Sequence, residues 1–279
     1  MFIVKRLLWS LRRALGLSPT QRTFKDLRTR NVRTGDLAAL EVFGHTGFLH
    51  TLDYARKVSS LEVWEIDATK ERDLRRNLPQ AKVKIGDSFD ELKRTPGRFD
   101  LLVVDNPVQV YGDHCEHFDL FPDIFRVAKD SSILILNIAG NPWPRPDEAH
   151  LARRRAFYKT DHPENVPFDR MIATYRNLLH AGGFELEWFF TRRRTWATRA
   201  SYLVLKIGRK EPLDSSFKPM PSNEGARRRV PRRAFLPALT YPLPHLDWES
   251  AEALGYHAAD QRVYPFVEMF AELASVAGC

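Results

Sequence analysis

The 279-residue chain has only two cysteines, Cys115 and Cys279. Two thiols cannot build a disulfide framework and are too few for a cysteine-based zinc site, so a secreted, cross-linked fold is excluded and a reducing compartment is expected. It also lacks any run of about 18 uninterrupted apolar residues, the length a membrane-spanning helix requires. The apolar N-terminus, MFIVKRLLWSLRRALGL, is broken by Lys5, Arg6, Arg12 and Arg13, which suits neither a span nor a cleaved leader. The expectation is a cytoplasmic protein, at most peripheral to the inner membrane face. What is present has globular proportions: 43% hydrophobic and 28% charged residues, which excludes a disordered or fibrous chain.

The formal net charge of +8 is segmental. Residues 1–35 hold nine Lys or Arg against one acid, Asp26, whereas residues 36–150 hold 14 against 20, residues 151–210 hold 13 against 5, and residues 211–279 hold 7 against 9. The first segment sets Phe2, Ile3, Leu7, Leu8, Leu11 and Leu15 at roughly helical spacing, with Trp9 beside the seam. Such a helix, over about residues 1–17, either caps the domain or lies on a partner or an anionic bilayer. Arginine runs stand at 153–155, 192–194, 227–229 and 232–233. They are solvated surface charge or attract an anionic acceptor, and RNA or DNA would respond to the same field.

From residue 36 short apolar runs alternate with amphipathic stretches, which argues for parallel strands joined by helical crossovers. Strands are expected at 38–43, 61–66, 82–85, 101–104 and 133–138, with helices at 69–77 and 118–128. An irregular stretch at 140–167 precedes a helix at 168–180 stopped by Gly182 and Gly183. Two further strands, 184–190 and 200–207, flank a basic turn and form a closing hairpin. The expected fold is α/β: a doubly wound Rossmann-like seven-stranded sheet with a C-terminal antiparallel hairpin, plus an N-terminal helix and a C-terminal extension. Three parts follow: a basic amphipathic segment at 1–35, the main domain at 36–208, and a Pro/Arg-rich arm with a helical extension at 209–279.

Four motifs stand at strand ends. Glu41-Val42-Phe43-Gly44-His45-Thr46-Gly47 puts an acid ahead of a turn where the backbone approaches a ligand closely and a following helix offers free N–H groups. Glu65 and Asp67 end the second strand 18 and 20 residues after Gly47, where a carboxylate can accept both hydroxyls of a ribose. Gly86-Asp87-Ser88-Phe89 follows the third strand, and Asp105-Asn106-Pro107 ends the fourth. Either Glu65 or Asp67, and likewise Asp87, also reads as a helix N-cap.

In their order and spacing these motifs resemble the class I S-adenosylmethionine-dependent methyltransferases, over about residues 36–208. Phe43 and His45 stand where that family has glycine. The resemblance implies S-adenosylmethionine as cofactor, held by Glu41, Phe43, Gly44 and Gly47 at the turn, by Glu65 at the ribose, by Asp87 and Ser88 at the adenine, and by Asp105 near the transferred methyl group. It implies Asp105 as a catalytic carboxylate. Downstream, Gly112-Asp113-His114-Cys115-Glu116-His117 is either a polar loop or the source of a base, with His114 and His117 as the catalytic candidates. A cation-dependent branch of the family is not matched, because Asn137 and Asn141 follow the fifth strand without an acid; no metal site is expected.

The function so implied is methyl transfer to an oxygen or nitrogen of a small-molecule or glycan acceptor. A non-catalytic binding module of the same fold stays open, as does, more remotely, nucleic-acid methylation, although no RNA-binding module is recognisable.

Overall fold

The computed structural model describes residues 9–105, 117–121, 123–141, 148–194 and 200–212. His114, the turn at 195–199 and the C-terminal extension lie outside the described residues.

Seven strands form one sheet: β1 (Ala38–Glu41), β2 (Ser60–Glu65), β3 (Lys82–Ile85), β4 (Phe99–Val104), β5 (Ala128–Ile138), β6 (Phe184–Arg193) and β7 (Ser201–Arg209). Their spatial order is β3-β2-β1-β4-β5-β7-β6. The first five run parallel, and β7 inserts antiparallel between β5 and β6. The doubly wound sheet and its closing hairpin are those expected. Order reverses between β1 and β4, and the crevice outside the carboxyl ends of those strands is where such sheets receive ligands.

Two-residue periodicity divides the central strands between two cores. Leu102, Val104, Leu134 and Leu136 face one side; Leu101, Val103, Ile133 and Ile135 face the other. Four helices supply the first core: α3 (Ser88–Arg94), α4 (Asp123–Arg126), α5 (Glu148–Tyr158) and α6 (Phe168–Ala181), through Leu92, Phe125, Tyr158 and Tyr175 among others. The second is covered by α1 (Pro19–Thr29) and α2 (Glu71–Asn77), through Phe24, Leu27 and Leu74, and by the segment bearing Tyr54 and Ala55. Helix α1 starts with a full capping box: Ser18 Oγ accepts from the Gln21 N–H, Gln21 returns the bond, and Pro19 opens the first turn. Ahead of it, residues 9–14 form a separate short helix.

Three local expectations change. The helix expected at 118–128 is a 3-10 turn (His117–Leu120) followed by the single turn of α4, because β5 begins early: the Phe99 N–H donates to the Val127 carbonyl at 2.8 Å, recruiting that stretch into the ladder. The irregular stretch at 140–167 contains α5. Within its arginine run Arg154 is fully buried and clamps the chain, donating from Nε to the Pro163 carbonyl at 2.6 Å and from Nη2 to those of Ala139 and Gly140 at 2.9 and 3.0 Å. A guanidinium so occupied is a structural tie, not surface charge. Beyond Arg154, Arg153 pairs with Asp119 and Arg192 with Asp26.

Candidate active site

At the β2 and β3 ends the site begins with Glu65. Parallel pairing sets Glu65 opposite Ile85, so the strand turns out of the sheet with its carboxylate beneath the glycine turn. Oε2 accepts the His45 N–H at 2.6 Å and Oε1 the Asp67 N–H at 2.8 Å. Burial pushes the Glu65 carboxyl above its usual range, with the two N–H bonds opposing. Asp67 caps a 3-10 turn (Ala68–Lys70), taking both the Thr69 N–H and hydroxyl, and that hydroxyl bond leads the causes that hold its pKa down. Between the two acids Ile66 is 59% exposed, an apolar side chain that nothing in the core explains. Asp87 is the N-cap of α3, with Oδ1 accepting the Phe89 N–H at 2.9 Å. Ser88 is buried and donates to the Val42 carbonyl.

The glycines of the turn answer to packing behind it. A Cβ at Gly44 would stand 2.2 Å from Val63 Cγ1; one at Gly47, where φ is +68°, would stand 2.5 Å from Leu78 Cδ1. The turn is pressed against β2 and α2, and only a missing side chain permits that approach. His45 adopts φ of +46°, and burial lowers its pKa, keeping the ring neutral. Phe43 is half-buried against the first core, 6.3 Å from the Phe89 ring.

The helix expected after this turn does not form. A helix there would bond the Phe48 and Leu49 carbonyls to the N–H groups of residues 52 and 53. Arg13, reaching in from the N-terminal helix, takes both carbonyls with Nη2 and pairs through Nε with Asp53. The Leu52 N–H turns to the Gly47 carbonyl and the Asp53 N–H to that of His50, leaving only a 3-10 turn at Thr51–Asp53. The helix N-terminus that was to offer free N–H groups is therefore absent.

At the β1 and β4 ends the acids are sealed. Glu41 is 2% exposed; Thr51 Oγ1 donates to Oε1 at 2.9 Å and Tyr54 OH to Oε2 at 2.5 Å. Burial dominates and lifts the Glu41 pKa to about 8, so the carboxyl is largely protonated at neutral pH. Asp105 accepts the Tyr202 hydroxyl at 2.7 Å on Oδ2 and pairs through Oδ1 with Arg194 Nη2 at 2.6 Å. Burial would raise its pKa, but the Arg194 charge, His50 and the Tyr202 bond together hold it below the usual range. His50 Nε2 lies 3.8 Å from Asp105 Oδ2, with Trp9 edge-on at 5.0 Å; burial drives its pKa to about 3, so the imidazole is neutral.

The structure thus buries Glu41 and Asp105 within electrostatic reach of each other and places Glu65, Asp87 and Ser88 at the neighbouring strand ends. It does not bring His117 there: that ring is fully buried, its Nε2 2.6 Å from the Tyr175 hydroxyl and stacked on Tyr175 in the first core. Sequence reasoning passed over His50, Thr51, Tyr54, Tyr202 and Ile66. Thr51 and Tyr54, three apart just after the glycine turn, were the available signal; nothing in the sequence paired Arg194 with Asp105. A cavity of about 730 Å³ lined by Thr95, Arg98, Arg126 and Arg209 lies at the opposite rim, where β4 starts and β7 ends, remote from these acids.

The strand order and the antiparallel hairpin define a doubly wound, Rossmann-like seven-stranded α/β fold. No protein-family model matches the chain, and neither does any curated protein. Among solved structures, the chain is similar to magnesium protoporphyrin IX methyltransferase of Synechocystis PCC 6803 with bound SAM: 12% identity, 68% of this chain and 78% of that one covered, TM-score 0.44. It is similar to TYW2 of M. jannaschii in complex with AdoMet, with 14% identity, 67% and 75% covered, and TM-score 0.41. It is also similar to the ribosomal protein L11 methylase of Lactobacillus delbrueckii subsp. bulgaricus, with 13% identity, 67% and 76% covered, and TM-score 0.40.

Proposed function

We propose that the protein transfers a methyl group from S-adenosylmethionine to an oxygen or nitrogen of a small-molecule or glycan acceptor. The observation that carries this reading is Glu65 at the β2 end, held by two backbone N–H groups beside the exposed Ile66. A carboxylate has about four acceptor sites, and two remain for the hydroxyls of a ribose. Ile66 offers an apolar surface to an adenine ring, and Asp87, whose Oδ1 is used by its cap, keeps Oδ2 for the exocyclic amine. These residues fit the nucleoside part of the cofactor.

When bound, the cofactor supplies an electrophilic methyl group on a sulfonium. The chain's contribution is position and exclusion of water. Phe43 and Phe89 wall the turn with apolar surface. Asp105, kept ionised by Arg194 and Tyr202, is sealed by them and ties the β4 end to the hairpin instead of touching the acceptor. His117 lies in the core against Tyr175, apart from this chemistry.

A second reading, a non-catalytic binding module, draws on the sealed state of Glu41 and Asp105 and on Phe43 and His45 in the turn. Isothermal titration with S-adenosylmethionine and S-adenosylhomocysteine separates the two. Binding in the micromolar range, abolished by Glu65→Ala in a chain with unchanged thermal unfolding, is expected; no heat with either ligand overturns the enzyme reading and leaves the binding module.

A further inference from the structure

We infer that the cavity at the rim opposite the acids is a second binding site, for the phosphomonoester of a sugar or other small polyol. The cavity measures about 730 Å³, within the range of small-molecule sites and far larger than a lone ion needs. It is cut where four stretches meet: residues 95–98 between α3 and β4, Arg126 at the end of α4, Asp130 early in β5, and residues 209–212 at the end of β7.

The charges around it are unevenly committed. Arg209 donates from Nε to Asp130 Oδ1 at 2.8 Å and reaches the Phe125 and Ala128 carbonyls from Nη2, both at 3.4 Å. Lys210 turns away to Glu185 at 2.8 Å. Arg98 and Arg126 have no such close partner. Arg98 reaches only the Asp130 oxygen that Arg209 already holds, at 3.6 Å, and Arg126 reaches Asp123 at 3.6 Å and the Lys93 carbonyl at 3.5 Å. Contacts of that length leave each planar fork its donors. Two guanidiniums from separate elements suit a group with three terminal oxygens, which a phosphomonoester has and a carboxylate lacks. The polymer backbone of a nucleic acid fits less well, because its phosphates are diesters with two free oxygens and this site is a recess. Glu211, the other acid of the lining, is exposed and can accept the hydroxyls of the ligand beyond its phosphate. This inference does not depend on the methyltransferase reading.

The test is isothermal titration of the full chain with ribose 5-phosphate, with ribose, and with a short single-stranded RNA. Binding of ribose 5-phosphate without binding of ribose is expected. Arg98→Ala and Arg126→Ala should each weaken it about tenfold, with the melting temperature unchanged because both side chains are about half exposed. Arg76→Ala, which removes the same charge from α2, and Glu65→Ala, in the crevice at the other rim, should leave it unchanged. No heat with ribose 5-phosphate overturns the inference, as does full binding by the double variant of Arg98 and Arg126. An equal loss in Arg76→Ala would reduce the effect to net charge, and a loss in Glu65→Ala would move the ligand to the crevice; either overturns it. Tighter binding of the RNA through Arg98 and Arg126 would overturn it in favour of a polymer.

Discussion

The two halves of the crevice carry acids at equivalent strand ends in opposite circumstances. At β2 and β3, Glu65 and Asp87 are held by backbone N–H groups, which leave oxygen lone pairs over, and an exposed isoleucine, Ile66, follows Glu65 at the β2 end. At β1 and β4, Glu41 and Asp105 are closed off by side chains, Thr51 and Tyr54 on one and Arg194 and Tyr202 on the other. Local backbone fixes the first pair of acids, whereas side chains drawn from other elements fix the second. The second half thereby holds strands, loop and hairpin together, and the first is where the proposed nucleoside contacts lie.

The largest effect should come from breaking the sealed half. Arg194→Ala strands Asp105, 2% exposed in its side chain, as a buried unpaired charge; a loss of about 3–5 kcal/mol in denaturant unfolding is expected, and a loss below 1 kcal/mol would show that the pair is solvated. Next is the pH dependence of Glu41. Its folded pKa of about 8 exceeds the unfolded 4.5, so the folded state binds the extra proton and stability falls as pH rises between those values. His50, lowered from 6.5 to about 3, gives the opposite slope up to pH 6.5. Above it Glu41 stands alone, and the wild type should lose about 2 kcal/mol relative to Glu41→Gln between pH 6.5 and 8; parallel pH curves for the two proteins would place Glu41 in contact with water.

In the β2 and β3 half, the effects should appear in binding. Glu65→Gln should weaken S-adenosylmethionine about tenfold by titration, as expected for losing one hydrogen bond to a charged acceptor, whereas the same titration on Asp67→Asn should be unchanged. Smallest, Ile66→Ser should cost about 1 kcal/mol of affinity with no change in melting temperature, since the side chain is mostly exposed; a fall in melting temperature instead would make Ile66 structural.

Much of the sheet was legible because each strand is a short apolar run bounded by turn residues, and the crossovers at 71–77 and 168–181 carry their own periodicity. Acids at the strand ends were legible for the same reason: a charged residue closing a buried run sits at the rim of the sheet. What those acids do was not. Glu65 and Asp67 are two apart and chemically alike, and only the fold gives one to the turn and the other to a cap. The missing helix after Gly47 has a local sequence compatible with helix; Arg13, far away in the chain, intercepts its carbonyls. Arg154 belongs to a run that reads as surface charge, and its burial depends on where the Ala139, Gly140 and Pro163 carbonyls converge.

The sequence by itself determined the alternation of strands and helices, the glycine turn and the positions of the acids, because these rest on periodicities and residue shapes that act over a few positions. Only the tertiary structure decided which acids are held by local backbone and which by side chains from other elements. That depends on donors such as Tyr202, brought in from 97 residues away, and Arg194, and whether a buried carboxylate is paired by a side chain or by backbone is settled when those segments meet.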